Sequence, residues 1–359
     1  MGIFVYLQKR ARVKRAAARI REAPSRKERS TEMGMDRQTP PGLKLITMRV
    51  QRHAMSSLGG IKKIRWGLKA ISWTLAAPLN QEARFSALCR LARWQLGSRV
   101  LRRSAVHRFV NDTRLLVAPG ATGATLNIYG GLHEYEDMSF VCHCLRRDDL
   151  FVDVGANIGS YSVLAAGVSG ANVLAFEPIR TTYAALVDNV RLNDLNHLVE
   201  TFNSGVGAEP GSLEFLATHD AMNRVATVDD VDGELQTASI VTLDSQVHRP
   251  PAVVKIDVEG WEAEVVRGGM KVLSSPEVLA LIVEFNGSGA RYGSDERELT
   301  SLIHTLGFTP ARYFPRSRRL DLLVPPFESS GNQLFVRDAE EVRRRLRSAP
   351  TFLVLGRTV

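Results

Sequence analysis

The 359-residue sequence contains only three cysteines, Cys89, Cys142 and Cys144. So few cysteines, in an odd number, argue against a disulfide-stapled secreted fold and favour a reducing compartment, so we expect a cytoplasmic protein. Cys142-His143-Cys144 looks like a fragment of a metal site. No fourth ligand follows at a fitting spacing, and we therefore expect no metal.

Long apolar runs are also missing. No stretch approaches the roughly 18 residues that a membrane-spanning helix needs. The first residues, MGIFVYLQKRARVKR, place the apolar group before the charges, which is the reverse of the order in a signal peptide. The sequence thus predicts no transmembrane segment and no secretory leader.

Acidic residues are scarce in the first third of the chain. Residues 1–115 contain 26 Lys and Arg against 6 Asp and Glu, whereas residues 116–359 contain 21 against 32. We predict a basic, disordered arm over residues 1–60 and a helical region over 61–115, where apolar residues recur at helical spacing to about Val110 with a break near Pro78. The arm is suited to peripheral contact with anionic surfaces, or it is a solvated tail without a partner.

From Leu150 onward, short apolar runs rich in β-branched residues alternate with helical patterns. Five runs, LFVDVGA, NVLAFEP, VETFNSGV, AVVKIDVEG and LALIVEFN, are typical of buried parallel strands joined by crossover helices. SLEFLA and ASIVTLDS suggest a hairpin within the sheet or at its edge, and FTPARYF and NQLFVRD a closing strand pair. We predict an α/β domain over residues 116–345, with a Rossmann-like, mostly parallel sheet of about seven strands and flanking helices, and a tail over 346–359.

The first run ends in a turn of small residues, from Asp153 through Gly155, Ala156 and Asn157 to Gly159. The two glycines allow a tight turn and a close approach of the backbone to a ligand beside the free amides of the next helix. Asn157 stands where a dinucleotide fingerprint has its middle glycine. An Asp at the strand end suits the ammonium group and hydroxyls of S-adenosylmethionine better than a polyphosphate.

Glu177 and Pro178 follow the second strand. An acid at this place can accept hydrogen bonds from both ribose hydroxyls of a nucleoside. NAD-binding proteins share the feature, so it supports an adenosine ligand without selecting one. A helix-capping or surface carboxylate is the structural alternative.

Charged residues also follow the fourth and fifth runs. Alternation places Lys255, Asp257 and Glu259 on one side, and Glu284 closes the next strand. Methyl transfer to a hydroxyl needs a base or a metal, and Asp257, Glu259 and Glu284 are the candidates for the base. Each of them could instead form an ion pair with Lys255 or an arginine, and the sequence does not rank them.

In combination these motifs resemble the FkbM-type family of S-adenosylmethionine-dependent methyltransferases. The resemblance rests on FVDVGANIGSYSVLAA, AFEP, TLDS at 242–245, KIDVEGWEAEVVRG and NQLFVRD, and GLHEYE at 131–136 matches the acidic element upstream. It implies a class I methyltransferase fold, S-adenosylmethionine held by Asp153, Gly155, Asn157, Gly159 and Glu177, and Asp257 near the transferred methyl. It also implies O-methylation of a small-molecule or glycan acceptor.

Three other functions compete with this interpretation. A NAD-dependent oxidoreductase shares the glycine turn and the ribose acid, but Asn157 argues against it. A nucleic-acid methyltransferase would explain the basic arm, yet the sequence after the fourth run reads DVEG rather than a polar residue followed by two prolines. A non-catalytic binding module would have no need for acids at three strand ends. His133 is a further candidate base, with a structural hydrogen bond as its alternative.

Overall fold

The computed structural model describes residues 67–216, 224–227, 234–324 and 331–359. The chain divides into two units, Met1–Ala70 and Ile71–Val359. In the first unit the described residues, 67–70, are helical, and the predicted arm over 1–60 lies outside the described residues. All elements named below belong to the second unit.

The strands of the second unit follow in chain order: β1 (Ala105–Arg108), β2 (Arg114–Val117), β3 (Leu150–Val154), β4 (Asn172–Phe176), β5 (Val199–Phe202), β6 (Gly205–Val206), β7 (Gly211–Leu216), β8 (Arg224–Val225), β9 (Leu235–Val241), β10 (Val253–Ile256), β11 (Ala280–Phe285), β12 (Thr309–Phe314), β13 (Arg319–Leu322), β14 (Gly331–Val336), β15 (Leu353–Val354) and β16 (Arg357–Thr358).

The α-helices are α1 (residues 71–76), α2 (Arg84–Leu101), α3 (Thr122–Gly130), α4 (Tyr135–Cys144), α5 (Ser160–Gly167), α6 (Arg180–Leu192), α7 (Leu243–Gln246), α8 (Glu262–Arg267), α9 (Met270–Leu273), α10 (Glu296–Thr305) and α11 (Ala339–Ser348). Short 3₁₀ helices cover Pro78–Asn80, Ser288–Tyr292 and Pro315–Ser317. Within the described ranges, no helix is both long enough and apolar enough to cross a bilayer.

The centre of the unit is a mixed sheet of eight strands in the order β13-β12-β14-β11-β10-β3-β4-β5. The five strands from β11 to β5 run parallel, and β14 is antiparallel to both β11 and β12. Every residue of β3 and β10 is buried, as expected for strands covered by helices on both faces. The predicted α/β class and the closing strand pair are confirmed, and β13 adds an edge strand.

The hairpin prediction was wrong in its place. Strands β7 and β9 do pair antiparallel, but they belong to a separate four-stranded sheet in the order β6-β9-β7-β8. Both strands alternate between buried and exposed residues, so only one face of this sheet is apolar. That face packs into a small cluster with Ile179, whereas a place inside the main sheet would need two apolar faces.

The predicted helical run also ends early. Helix α2 stops at Leu101 because Arg102 adopts a left-handed conformation with φ of 48°. Strand β1 follows and pairs with β2 across a turn in which Asn111 has φ of 50°. Alternating side chains in β1 leave Val106 exposed, and this two-residue period is invisible when the segment is read with a helical period.

The chain order of the parallel strands creates a crevice at one edge of the sheet. From β3 the chain winds through β4 to β5 on one side, and from β10 it winds to β11 on the other. The direction therefore reverses between β3 and β10, where Asp153 and Lys255 are register partners. Ligands of open α/β sheets bind at such a switch point, beyond the carboxyl ends of the strands.

Candidate active site

A cavity of about 280 Å³ lies at this switch point. Nine of the ten residues predicted from the sequence line it: Asp153, Gly155, Ala156, Asn157, Glu177, Pro178, Asp257, Glu259 and Glu284. They come from the ends of four adjacent parallel strands, which explains why residues so far apart in sequence meet. The predicted site residues therefore form one concave surface, although their individual roles stay predictions.

The turn after β3 requires glycine at position 155. Gly155 has φ of 79°, and a Cβ built on it would lie 1.8 Å from the carbonyl oxygen of Asp257. Its amide donates to the Phe176 carbonyl at 3.0 Å, which ties the turn to β4. Asn157, at φ of 51°, accepts a hydrogen bond on its Oδ1 from the Ile158 amide at 2.8 Å. The turn is thus held by its own hydrogen bonds while one side faces the cavity.

Gly159 is the predicted residue that does not line the cavity. It starts α5 with φ of 86°, and a Cβ at this position would lie 2.5 Å from Leu186 Cδ1 of α6. The absence of a side chain therefore allows α6 to pack closely against the turn. This packing role accounts for the glycine without any ligand contact.

Asp153 is almost completely buried, with 1% of its surface exposed. Its Oδ2 accepts a hydrogen bond from Ser162 Oγ at 2.6 Å, whereas Oδ1 is buried and accepts none from the described residues. Burial raises the pKa of Asp153, and the nearby Lys255 ammonium opposes that shift. A buried carboxylate oxygen of this kind is costly unless a donor reaches it, and Asp153 lines the cavity from which a ligand could do so.

Glu177 is held by the backbone on both of its oxygens. Oε2 accepts from the Asn157 amide at 3.1 Å and Oε1 from the Ile179 amide at 2.9 Å. Burial raises the pKa of Glu177 to about 7, and these two hydrogen bonds act against that shift. Because each carboxylate oxygen has two acceptor sites, both oxygens can still accept a hydroxyl group from the cavity.

Lys255 is a buried cation at the centre of the site. Its Nζ lies 2.6 Å from Asp257 Oδ2 and 4.8 Å from the centre of the Tyr161 ring. Burial acts to lower the pKa of Lys255, but Asp257, Glu134 and Asp153 outweigh it and raise the pKa above its usual range. The ion pair that the sequence left as an alternative for Asp257 is therefore present.

The other two candidate bases lie close to Asp257. Burial, Asp257 and Glu259 together raise the pKa of Glu284 to about 9. Glu259 accepts a hydrogen bond from Asn286 Nδ2 at 3.1 Å, and its pKa is raised by burial and then by Asp257. The raised pKa favours the protonated form of Glu284 near neutral pH.

Sequence reasoning assigned no role to Glu134 or Tyr161, which also line the cavity. Tyr161 donates to Glu134 Oε2 at 2.6 Å, and His133 Nε2 lies 3.3 Å from the other oxygen, Oε1. Burial acts to raise the pKa of Glu134, but His133 and Lys255 hold it well below its usual range. The segment GLHEYE carried the signal for Glu134, whereas nothing in the sequence distinguishes Tyr161 except its place as the second residue of α5.

Cys142, His143 and Cys144 lie in α4 and are buried. The hydroxyl of Tyr313 lies 2.7 Å from His143 Nδ1, so the ring is engaged by a phenol. Both cysteines are free thiols. Across the described ranges, no group of three His, Cys, Asp or Glu residues is placed to hold a metal ion.

Comparisons with known proteins agree with this geometry. The family model of the methyltransferase FkbM domain matches residues 153–310. The chain is 30% identical over 164 residues to the hexuronic acid methyltransferase AglP of Haloferax volcanii. The matched region is 44% of this chain and 62% of AglP. It is 27% identical over 169 residues to the methyltransferase sdnD of Sordaria araneosa, which covers 36% of this chain and 65% of sdnD.

Among solved structures, the chain is similar to a methyltransferase FkbM from Methylobacillus flagellatus. The TM-score is 0.37 and the identity 19%, over 53% of this chain and 43% of that one. The chain spans less than two thirds of the length of the two curated relatives. The predicted resemblance to the FkbM-type methyltransferases is confirmed over residues 153–310, where the family model of the methyltransferase FkbM domain matches the chain.

Proposed function

We propose that this protein binds S-adenosylmethionine in the switch-point cavity and transfers its methyl group to a hydroxyl of a sugar, glycan or other small-molecule acceptor. The observation that carries the proposal is the set of acids at the ends of adjacent strands, with Asp153 Oδ1 buried and accepting no hydrogen bond from the described residues. A sulfonium ligand with an amino group and a ribose would offer these acids a positive charge and hydrogen-bond donors.

The residues of the cavity fit the parts of this cofactor. Asp153 Oδ1 would accept from the ammonium group, and Glu177 would accept from the ribose hydroxyls. Pro178 and Phe215 supply apolar walls beside Glu177 for the adenine. When bound, the cofactor supplies an electrophilic methyl group on its sulfonium sulfur.

The chain's own contribution would be to position the acceptor hydroxyl and remove its proton. Asp257 is fixed by Lys255 at the edge of the cavity, and Glu259 lies beside it. Burial and its carboxylate neighbours raise the pKa of Glu284 to about 9, which makes Glu284 the less suitable proton acceptor near neutral pH. Most of the rate enhancement would come from alignment for in-line displacement.

The acceptor class rests on a relative. AglP is named a hexuronic acid methyltransferase, and this favours a sugar acceptor for the present chain. A cytoplasmic location is part of the proposal, because the three free cysteines fit a reducing compartment. Contact of the basic arm with anionic surfaces is also proposed, from its charge alone.

Calorimetric titration with S-adenosylhomocysteine tests the cofactor assignment. We expect micromolar binding by the wild-type protein, no measurable binding by Asp153→Asn, and wild-type affinity for the control Glu200→Gln, an exposed acid on the outer parallel strand β5. NAD should not bind. Binding of NAD alone would support the oxidoreductase, and binding of neither ligand to folded protein would support the non-catalytic module.

Turnover with methyl-labelled cofactor and uronic acids or neutral sugars tests the chemistry. Asp257→Asn and Glu259→Gln should leave cofactor binding largely intact, and loss of the base should lower kcat by about 10²–10⁴-fold. Glu284→Gln should lower it less. Full activity in both Asp257→Asn and Glu259→Gln would remove the carboxylates from proton transfer.

A further inference from the structure

Helix α2 is apolar on two faces, and the described residues of the chain cover only one of them. Its inner face packs on the core through Ala87, Leu91 and Trp94, and Arg90 donates to the Ile128 and Tyr129 carbonyls. The opposite face carries a row of exposed residues at intervals of three and four, the outer stripe: Phe85, Cys89, Ala92, Leu96 and Val100. Such a row follows one side of the helix over its whole length.

The apolar side chains of the outer stripe are unusually exposed to solvent. Phe85 is 81% exposed, Val100 79% and Leu96 65%. Scattered exposed apolar residues need no explanation, but several on one helical face mark an interaction surface. The question is therefore which partner covers this face.

The charged residues within α2 are all basic, and the acid that precedes the helix, Glu82, is paired with Arg357. Helix α2 contains four arginines and no acidic residue, and Arg93 and Arg99 are exposed beside the stripe. A second cavity, of about 180 Å³, lies between α2 and β1 and is lined by Arg93, Arg103, His107 and Trp94 and by no acidic side chain. Burial, then Arg90 and Arg93, lower the pKa of His107, as expected where the local potential is positive.

Charge complementarity decides between the possible partners. Residues 1–66 of this chain, with 17 Lys and Arg against 4 Asp and Glu, have the same sign as the face. Two copies joined by a two-fold axis would bring their own arginines together. A nucleic acid would match the charge but would not cover the aliphatic stripe. An anionic bilayer matches both features, because apolar side chains enter the acyl boundary while arginines meet phosphates.

We propose that the outer face of α2 docks the protein on an anionic membrane surface, with the outer stripe in the acyl–headgroup boundary and Arg93, Arg99 and Arg103 against lipid phosphates. The docked enzyme would stay peripheral. This surface is distinct from the cavity at the switch point and does not depend on the methyl acceptor.

Cys89 provides a probe within the stripe itself. It is exposed, whereas Cys142 and Cys144 are buried, and burial raises the pKa of both buried thiols. An environment-sensitive fluorophore on the full chain should therefore react at Cys89. With vesicles of phosphatidylcholine and phosphatidylglycerol at about 0.15 M salt, we expect the emission to rise and shift to the blue and a lipid-attached quencher to reduce it. Pure phosphatidylcholine should have little effect.

Matched variants locate the binding surface. Val100→Glu should weaken binding to anionic vesicles by about tenfold, because it removes a valine that would enter the bilayer and adds a charge that the anionic lipids repel. Val324→Glu, at an exposed valine beyond β13, and Arg297→Gln, at an exposed arginine of α10, should bind like wild type, whereas Arg93→Gln should bind more weakly. An unchanged midpoint of urea unfolding for Val100→Glu shows that this variant is folded.

Three results would overturn the proposal. One is no vesicle-dependent change in emission of the full chain. Another is equal binding by Val100→Glu and Val324→Glu, which would assign membrane contact to a different part of the chain. The third is a blue shift that needs no vesicles and grows with protein concentration, which would assign the face to a second copy. None of these results depends on methyltransferase activity.

Discussion

Both the fold and the site depend on the absence of a side chain at Gly155. A Cβ there would meet the Asp257 carbonyl oxygen, and the backbone is also left-handed. Gly155→Ala should therefore lower the free energy of unfolding by about 3 kcal/mol or more and abolish S-adenosylhomocysteine binding.

Gly120 separates the two causes. It has φ of 94°, but nothing lies within 4 Å of a Cβ at that position. Gly120→Ala should cost only the backbone strain, about 1–2 kcal/mol, and leave binding intact. Urea unfolding of both variants measures the difference. Equal losses of stability in the two variants would mean that the turn moves away from Asp257 at no cost.

Glu177 should give cofactor binding a pH dependence. Its pKa of about 7 means that the carboxylate, the better acceptor for ribose hydroxyls, becomes populated between pH 6 and 8. Affinity for S-adenosylhomocysteine should therefore rise over this range, by about tenfold at most. Calorimetry with Glu177→Gln should show weaker binding and a flat profile.

Glu262 is the matched control for this measurement. Burial raises its pKa to about 7 as well, but its Oε1 accepts from the Gly260 and Val258 amides and it does not line the main cavity. Glu262→Gln should keep the wild-type pH dependence. If Glu262→Gln lost the pH dependence instead, the titrating group would be Glu262 and not Glu177.

At the scale of elements, Arg337 joins its own segment after β14 to residues 273–278 and 306–308. Its guanidinium donates to the carbonyls of Leu273 at 2.5 Å, Val278 at 3.0 Å and Leu306 at 2.8 Å, and also to that of Ser275. It stacks 4.1 Å from the Phe308 ring. These contacts satisfy carbonyls near the ends of α9 and α10 that have no partner within their helices.

Arg337→Lys should lower the free energy of unfolding by about 2–3 kcal/mol, since an ammonium cannot reproduce the planar fork and leaves carbonyls unpaired. Arg344→Lys, at an exposed ion pair with Glu341, should change stability by less than about 0.5 kcal/mol. Chemical denaturation compares the two. A similar, small effect of both variants would show that water satisfies the carbonyls.

The parallel strands were predictable because burial on both faces leaves unbroken apolar runs, as in LFVDV and ALIVEF. The position of β7 and β9 was not predictable, since their alternation specifies one buried face but not the sheet to which the strands belong. The hairpin β1–β2 was missed because Arg102 adopts a left-handed conformation, which is not expected for an arginine. The pattern thus predicts buried elements better than exposed ones.

The site was predictable to the extent that strand ends carry it. Asp153, Glu177 and Asp257 each follow an apolar run, so the rule for parallel sheets brings them together. Glu134 reaches the same cavity from the segment just before α4, and no local pattern predicts that approach. Proton distribution was also beyond sequence, because the pKa of Glu284 depends on neighbours from other strands.

At the scale of the whole molecule, the charges are divided between functions. Six acids line the cavity that we assign to a cationic cofactor, and arginines flank the apolar face that we assign to an anionic membrane. Different elements form the two surfaces: the cavity lies at the strand ends, and the apolar face lies on α2. Membrane contact can therefore orient the protein without using any residue of the site.

The clustered acids should also shape the pH dependence of global stability. Burial raises the pKa of Asp137 to about 8, of Glu262 to about 7 and of Glu284 to about 9, besides that of Glu177. A carboxyl group whose pKa is higher in the folded state stabilises the fold fully below its unfolded pKa. That contribution is lost as the pH rises through the folded value.

The unliganded protein should therefore be less stable at pH 9 than at pH 6, by about 2–4 kcal/mol in the free energy of unfolding in urea. Glu284→Gln removes the group with the highest of these pKa values and should flatten the profile above pH 7, whereas the exposed control Glu200→Gln should not. A stability that increases from pH 6 to pH 9 would contradict the raised pKa values. It would mean that water or a bound cation compensates the buried carboxylates.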